Sequence, residues 1–298
     1  MATVATTPSA DALPKRANPL WQFIKVQPLG VFGLLIILLY VVCALGAKWI
    51  APYDPEAIDF AAMLAKPGEE HLFGTDQYGR DVFSRIVYGA RTALAVGILS
   101  SMFGCTLGAL LGAASGYFGG RIDNAIQRVV DIMLSFPIIV LAMVVVAVLG
   151  KRAALGIDWN LIAAIALPII PKMARVARSS TLSIVAMPFI DAARAAGFSH
   201  KRIILRHILP NIVAPYLIMV TAFMAQAILL EASLSFLGLG VTEPTPAWGL
   251  MLSGTSADFY QTAPWMILFP GAAITLAVFA FNLFGDSLRD WLDPKLKS

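Results

Sequence analysis

Few side chains in this 298-residue chain are placed to do chemistry. The three histidines, His71, His200 and His207, have no metal-ligand spacing with one another or with Cys43 and Cys105. There is no Gly-x-Ser-x-Gly, and no glycine-rich loop ends in Lys-Ser or Lys-Thr. The chain therefore writes out neither a nucleophile elbow nor a nucleotide-phosphate cradle. Both cysteines sit inside apolar blocks, which argues against a disulfide framework. The expectation is a non-enzyme with no catalytic residue, metal or cofactor of its own.

A different kind of chemistry, docking, is suggested by Met187 to Asn211, read MPFIDAARAAGFSHKRIILRHILPN. Pro188 suits a helix start, and Asp191 in the first turn complements the helix dipole. Ala192, Ala193, Arg194, Ala195 and Ala196 favour helix. Gly197 fits a left-handed cap, and Ser199 can cap a second short helix running to about His207, with Pro210 opening the next segment. The expected product is a two-helix knuckle with a small-residue face and a basic rim. Such a face can nest in a partner's groove; the plainer alternative is a surface helix held by anionic lipid.

The elements that must carry this segment are membrane helices. Hydrophobic residues make up 58% of the chain and charged residues 13%, against about 25% charged in soluble domains. A span needs about 20 apolar residues. Val26–Ala47, Thr92–Gly120, Ile132–Gly150, Ile208–Leu230 and Phe259–Gly285 contain none of Asp, Glu, Lys or Arg, save Glu231 just past one end. A sixth, weaker span lies around Ala153–Pro171, interrupted by Asp158. The fold class is thus an all-α integral membrane protein with six helices. With both termini cytoplasmic, the inner segments hold 15 Lys and Arg and the outer ones 7, as the positive-inside rule asks. Seven of the inner ones fall between Lys172 and Arg206. The basic balance therefore reads as topology; no basic stretch interleaved with aromatics points to nucleic acid.

Five segments follow: an N-terminal cytoplasmic tail (1–28), a first span (29–50), a periplasmic loop with an amphipathic helix (51–91), a core of five spans with the cytoplasmic loop 187–211 (92–285), and a C-terminal tail (286–298). Gly104, Gly108, Gly112 and Gly116 recur every fourth residue on one helix face, a pattern for close helix packing in lipid. Pro137, Pro168, Pro215 and Pro270 favour kinks. Asp131 and Glu231 lie near span ends, where capping is commoner than a role in a pathway. Of the outer acids, Asp59, Glu69, Glu70 and Asp76 could meet a substrate amine, though solvated loop acids are the ordinary case.

Asp191-Ala192-Ala193, then Gly197, then His207-Ile208-Leu209-Pro210, resembles the EAA loop of permease subunits of ATP-binding-cassette importers. Asp191 stands where the general pattern has Glu, and His207 where an aliphatic is usual. Further segments resemble the dipeptide, oligopeptide and nickel branch. They are His71–Val82 with Ser84, Arg85 and Gly89–Arg91, then Leu237–Gly240 with Pro246–Leu252, and finally Gly285–Leu296. Together they run from about Pro28 to Leu296 and resemble the C-type permease of that branch. The resemblance implies a type I importer fold in the bacterial inner membrane and half of a pathway for peptides. Nickel chelates, glutathione or oligosaccharides are alternative cargoes, and an ion-gradient-driven transporter is the alternative of another class. It implies a second homologous permease, two cytoplasmic ATPase subunits that bind ATP and Mg, and an extracytoplasmic binding protein. Its coupling loop would hold Asp191, Ala192, Ala193, Arg194, Gly197, Ser199, Arg202, His207, Leu209 and Pro210.

Overall fold

A computed structural model of the chain describes residues 19–150, 153–154, 157–254 and 258–292. The expectations for residues 1–18 and for the last six residues lie outside them. Helix α1 (Pro19–Val26) leads into α2 (Pro28–Ile50), and an irregular segment follows. Then come α3 (Val82–Phe118), α4 (Gly120–Leu134), α5 (Ile138–Leu149), a two-residue-per-strand hairpin (Ala153–Ala154 with Ile157–Asp158), α6 (Trp159–Ala166) and α7 (Ile169–Val185). The short α8 (Pro188–Ala195) and α9 (His200–Ile203) precede α10 (Val213–Phe236), α11 (Trp248–Met251) and α12 (Trp265–Leu292). Four helical stretches are long and apolar enough to cross a membrane, or up to six if each of two bent pairs is one span.

The two breaks have local causes. Pro137 has no N–H for a helix and sits between α4 and α5, which meet at 94°. Pro168 sits at the 45° break between α6 and α7. Pro215 falls in the first turn of α10, where a missing donor matters little, and Pro270 lies inside α12.

Helix α3 is the hub. It packs on α2, α6, α7 and α10, and the α3–α7 contact is the most extensive in the molecule. The four-residue glycine series makes it possible. A Cβ at Gly104 would stand 2.8 Å from the Ala166 carbonyl, at Gly108 2.5 Å from that of Ile170, at Gly112 2.3 Å from that of Ala174, and at Gly116 2.9 Å from that of Arg178. Each step of four along α3 meets a step of four along the α6–α7 run, so backbone lies on backbone over three turns. Gly30 and Gly33 of α2 make a second close approach, to Ser287 and Ala280 of α12.

Several boundaries differ from the sequence reading. The outer amphipathic stretch from Val82 to Arg91 is no separate surface helix; it is the first turns of α3, whose N-cap Asp81 accepts a hydrogen bond from the Ser84 amide at 2.7 Å. Ile132–Gly150 is not one straight span, because Pro137 divides it. The sixth span starts at Trp159 and runs on to Val185, so Lys172, Arg175 and Arg178 lie on α7 and not in an inner loop. Without them the inner total of Lys and Arg falls to 12 against 7. Asp286–Leu292 continue α12 instead of starting a tail.

Gly112→Val forces a branched side chain into the Ala174 backbone. The expected cost is about 3 kcal/mol, read as a large fall in melting temperature of the detergent-solubilised protein. Gly271→Ala, where an added Cβ meets nothing within 4 Å, should leave the melting temperature unchanged or slightly raised.

Candidate functional site

The knuckle begins where α7 ends. Met187 is extended and Pro188 opens α8, as a ring without N–H permits at a first helical position. Ile190 and Ala193 turn inward and are buried; Asp191, Ala192, Arg194, Ala195 and Ala196 are exposed. The helix closes with a Schellman cap. The Gly197 amide donates to the Arg194 carbonyl (3.0 Å), and the Phe198 amide donates to that of Ala193 (3.1 Å). Gly197 holds φ +75°, the left-handed conformation glycine adopts without strain. Ser199 caps the next turn, its hydroxyl accepting from the Arg202 amide at 3.4 Å.

The second helix of the knuckle is not short. From His200 the chain stays helical through a π turn (Ile204–Ile208), holding His207, and a 3-10 turn (Leu209–Ile212), holding Leu209 and Pro210, into α10. The sequence pattern ends this helix at about His207, but Pro210 is absorbed by this change of helical pitch. Asn211 helps, donating to the His207 carbonyl at 2.6 Å.

Side chains fasten the knuckle to the end of α3. The Tyr117 hydroxyl and His200 Nδ1 are 2.8 Å apart, and the Arg194 guanidinium lies over the Tyr117 ring at 5.6 Å. Arg202 lies over the Phe198 ring at 3.8 Å, and the His207 ring stacks with Phe198 at 5.8 Å. Asp191 pairs with Arg194 at 3.2 Å, but both are well exposed, so the pair adds little stability. Lys201, Arg202 and Arg206 ring a hollow of about 400 Å³ beside Ser199 and Leu205. The result is an exposed alanine face with a basic rim on a rigid base, and Met187, Phe189 and Leu205 are exposed near it.

The opposite end of α3 holds a clasp whose parts the sequence presented as a motif without a mechanism. Asp76 accepts from the Arg80 guanidinium at 2.6 Å, and Arg80 reaches Glu243 at 2.5 Å. Arg85 lies beside both carboxylates and donates to the Pro55 carbonyl at 2.9 Å. Burial works against the Arg80 charge, but its hydrogen bond to Glu243 and the field of Asp76 outweigh burial and hold its pKa above the ordinary value. His71 and Asp81 sit 2.9 Å apart, Trp248 donates to the Ile86 carbonyl and Trp265 to that of Thr75. Gly79, at φ +74°, passes so close to the Asp59 backbone that no Cβ fits. Asp76 is thus committed internally and is not a free acid for a substrate amine. Glu231 is likewise held inside: it is buried in α10 and accepts from Ser235 at 2.7 Å, whose hydroxyl in turn accepts from the Val241 amide. Asp131, by contrast, is exposed and pairs with Arg175 at 2.6 Å. Neither clasp partner Glu243 nor the Asp123–Arg178 pair (2.6 Å) was singled out from sequence; their partners lie far off along the chain, with no spacing to announce them.

Residues 104–298 match the family described as binding-protein-dependent transport system inner membrane component, and residues 20–67 match the N-terminal transmembrane domain of oligopeptide transport permease C. The chain belongs to this permease family. The dipeptide transport system permease protein DppC of Alkalihalophilus pseudofirmus is 44% identical over 92% of this chain and 88% of its own length. The glutathione transport system permease protein GsiD of Escherichia coli is 44% identical over 93% and 90%. A putative peptide transport system permease of Brucella suis is 43% identical over 89% and 87%. Among solved structures, the MetNI methionine ABC transporter in inward-facing conformations matches with a TM-score of 0.54 at 19% identity, over 71% of this chain and 98% of that one. The fold is that of a type I importer transmembrane domain. The chain is a multi-pass inner-membrane permease subunit of an ABC importer, a class that works with ATPase and substrate-binding partners.

Arg80→Ala would leave Asp76 buried with Arg85 only at 4.0 Å. Breaking a buried pair in this way should cost about 3 kcal/mol. Limited proteolysis of the detergent-solubilised protein should then cut between Tyr53 and Arg80 at protease levels that spare the parent protein.

Proposed function

We propose that this chain forms half of the membrane channel of an importer for short peptides, with a second homologous permease as the other half. Two ATPase subunits, which bind ATP and Mg, sit beneath it, and an extracytoplasmic protein delivers the cargo. Both termini lie in the cytoplasm. Relatives named for dipeptide, peptide and glutathione transport support the cargo class, since glutathione is itself a short peptide.

The observation that carries the coupling part is the exposed alanine face of α8, set between a Schellman cap and the buried Ile190 and Ala193. A mobile loop would dissipate a push from the ATPase pair; a capped helix locked to Tyr117 transmits it. Asp191, Ala192 and Arg194 present the docking face, Gly197 and Ser199 set the angle, and Arg202 and His207 brace it from behind. Leu209 and Pro210 join it to the span. When ATP draws the ATPase subunits together, the loop makes different contacts in the two states. That difference drives the switch between inward-open and outward-open forms. No step of hydrolysis is assigned to this chain.

Ala192→Arg changes an exposed position, so folding and membrane level should stay normal while ATP-driven uptake by the reconstituted complex falls to background. Gly197→Val should do the same and lower stability as well. Wild-type uptake by both variants would remove the loop from the coupling path. Uptake by the chain alone, driven by an ion gradient without ATP, would overturn the importer-subunit mechanism.

A further inference from the structure

Helix α7 spends one side on the seam with α3, burying Ile169, Met173, Ala174, Ala177 and Thr181. By the helical period, Lys172, Arg175 and Ser179 stand on the opposite side. Lys172 is midway between Trp159 and Val185. At about 1.5 Å per residue this places it about 20 Å along the bent α6–α7 run from either end, well inside the apolar span. Its Nζ donates to Gln226 of α10 at 3.4 Å and lies 5.9 Å from the Phe223 ring centroid. Among the described residues no carboxylate comes within ion-pair distance of it. About one turn nearer the Val185 end, the Arg175–Asp131 pair leaves both side chains more than half exposed, at 55% and 51%.

An ammonium at this depth facing hydrocarbon costs roughly 3 kcal/mol or more. A salt bridge half open to lipid is as poorly placed. Both make sense against water. We propose that the Lys172, Arg175 and Asp131 side of α7 and α4 lines the aqueous pathway, and that Lys172 receives the carboxylate of the passing substrate. The cargo's identity rests on the peptide reading above; the water-lined wall does not. Lys172 offers a single charge and Gln226 an amide beside it, while Arg175 and Asp131 present both signs to a zwitterion moving on. Sites this open bind weakly enough to release, which transport requires.

The test uses the full complex, with both permeases, ATPase subunits and binding protein, in liposomes. Cys43→Ser and Cys105→Ala provide the background. Lys172→Cys and Arg175→Cys are treated with membrane-impermeant methanethiosulfonates, one bearing a sulfonate and one a trimethylammonium group, with Leu38→Cys on α2 as a control. Both α7 positions should react and the control should not. At position 175, with Asp131→Asn added so that the carboxylate partner of Arg175 is not left beside the thiol, the sulfonate should react about fivefold faster than the cation, the scale of one nearby charge across a partly aqueous gap, and adding Lys172→Gln should abolish this preference. Alanyl-alanine supplied with binding protein and ATP should slow labelling. Lys172→Gln should lower the maximal uptake rate with KM unchanged, and Lys172→Arg should restore it. No labelling at either position would overturn the proposal and place this side against the second permease or lipid. Labelling without charge preference or substrate protection would overturn the carboxylate site. If the parent complex does not import alanyl-alanine, the cargo reading fails instead, and the charge preference of labelling still supports the wall.

Discussion

Everything else in this permease hangs on the contact of backbone with backbone between α3 and α7. In lipid, burying apolar side chains gives little advantage, because the solvent is as apolar as the core. Helices associate where atoms fit closely, and glycines at 104, 108, 112 and 116 let the α3 axis approach the carbonyls of α6 and α7 directly. Once α7 is fixed by that seam, its orientation is settled. Ile169, Met173, Ala174, Ala177 and Thr181 go inward, and Lys172 and Arg175 go to the other side. The polar side of α7 is thus a product of the apolar one.

Polarity is concentrated at the two ends of this assembly and along that side. At the N-terminal end of α3, Asp76, Arg80, Arg85 and Glu243 join the segment before α3 to the turn after α10. At its C-terminal end, Ser115, Asp123, Gln127 and Arg178 join α3, α4 and α7, with the Ser115 hydroxyl donating to Asp123 and accepting from Gln127. These ties are directional, whereas the packing between them is not. The ends therefore set register, and the middle sets distance.

The amino-acid sequence made the apolar spans, the Gly197 and Ser199 caps and the four-residue glycine series legible, because each depends on neighbours within a turn or two. Long-range matters were not legible. Pro210 looked like a terminator, yet a π turn and a 3-10 turn carry the helix past it. Lys172, Arg175 and Arg178 looked like loop cations, since charge in a span contradicts hydropathy; their partners Gln226, Asp131 and Asp123 come from other helices. The His71–Arg85 motif could be seen but not explained, because Glu243, Trp248 and Trp265 lie more than a hundred residues away.

Helix α3 runs unbroken for 37 residues, about 55 Å of rigid rod. Asp81 and Arg85 at one end belong to the clasp; Tyr117 at the other touches His200 and Arg194 of the knuckle. One stiff element thus belongs to two surfaces on opposite faces of the membrane. If occupancy of either surface depends on how α3 is tilted, the two occupancies are thermodynamically linked, and the linkage is reciprocal. Whatever factor a partner at the knuckle would apply to binding at the clasp, a partner at the clasp would apply to binding at the knuckle. The permease needs no separate signal relay for this, since the rod that holds it together is also the wire.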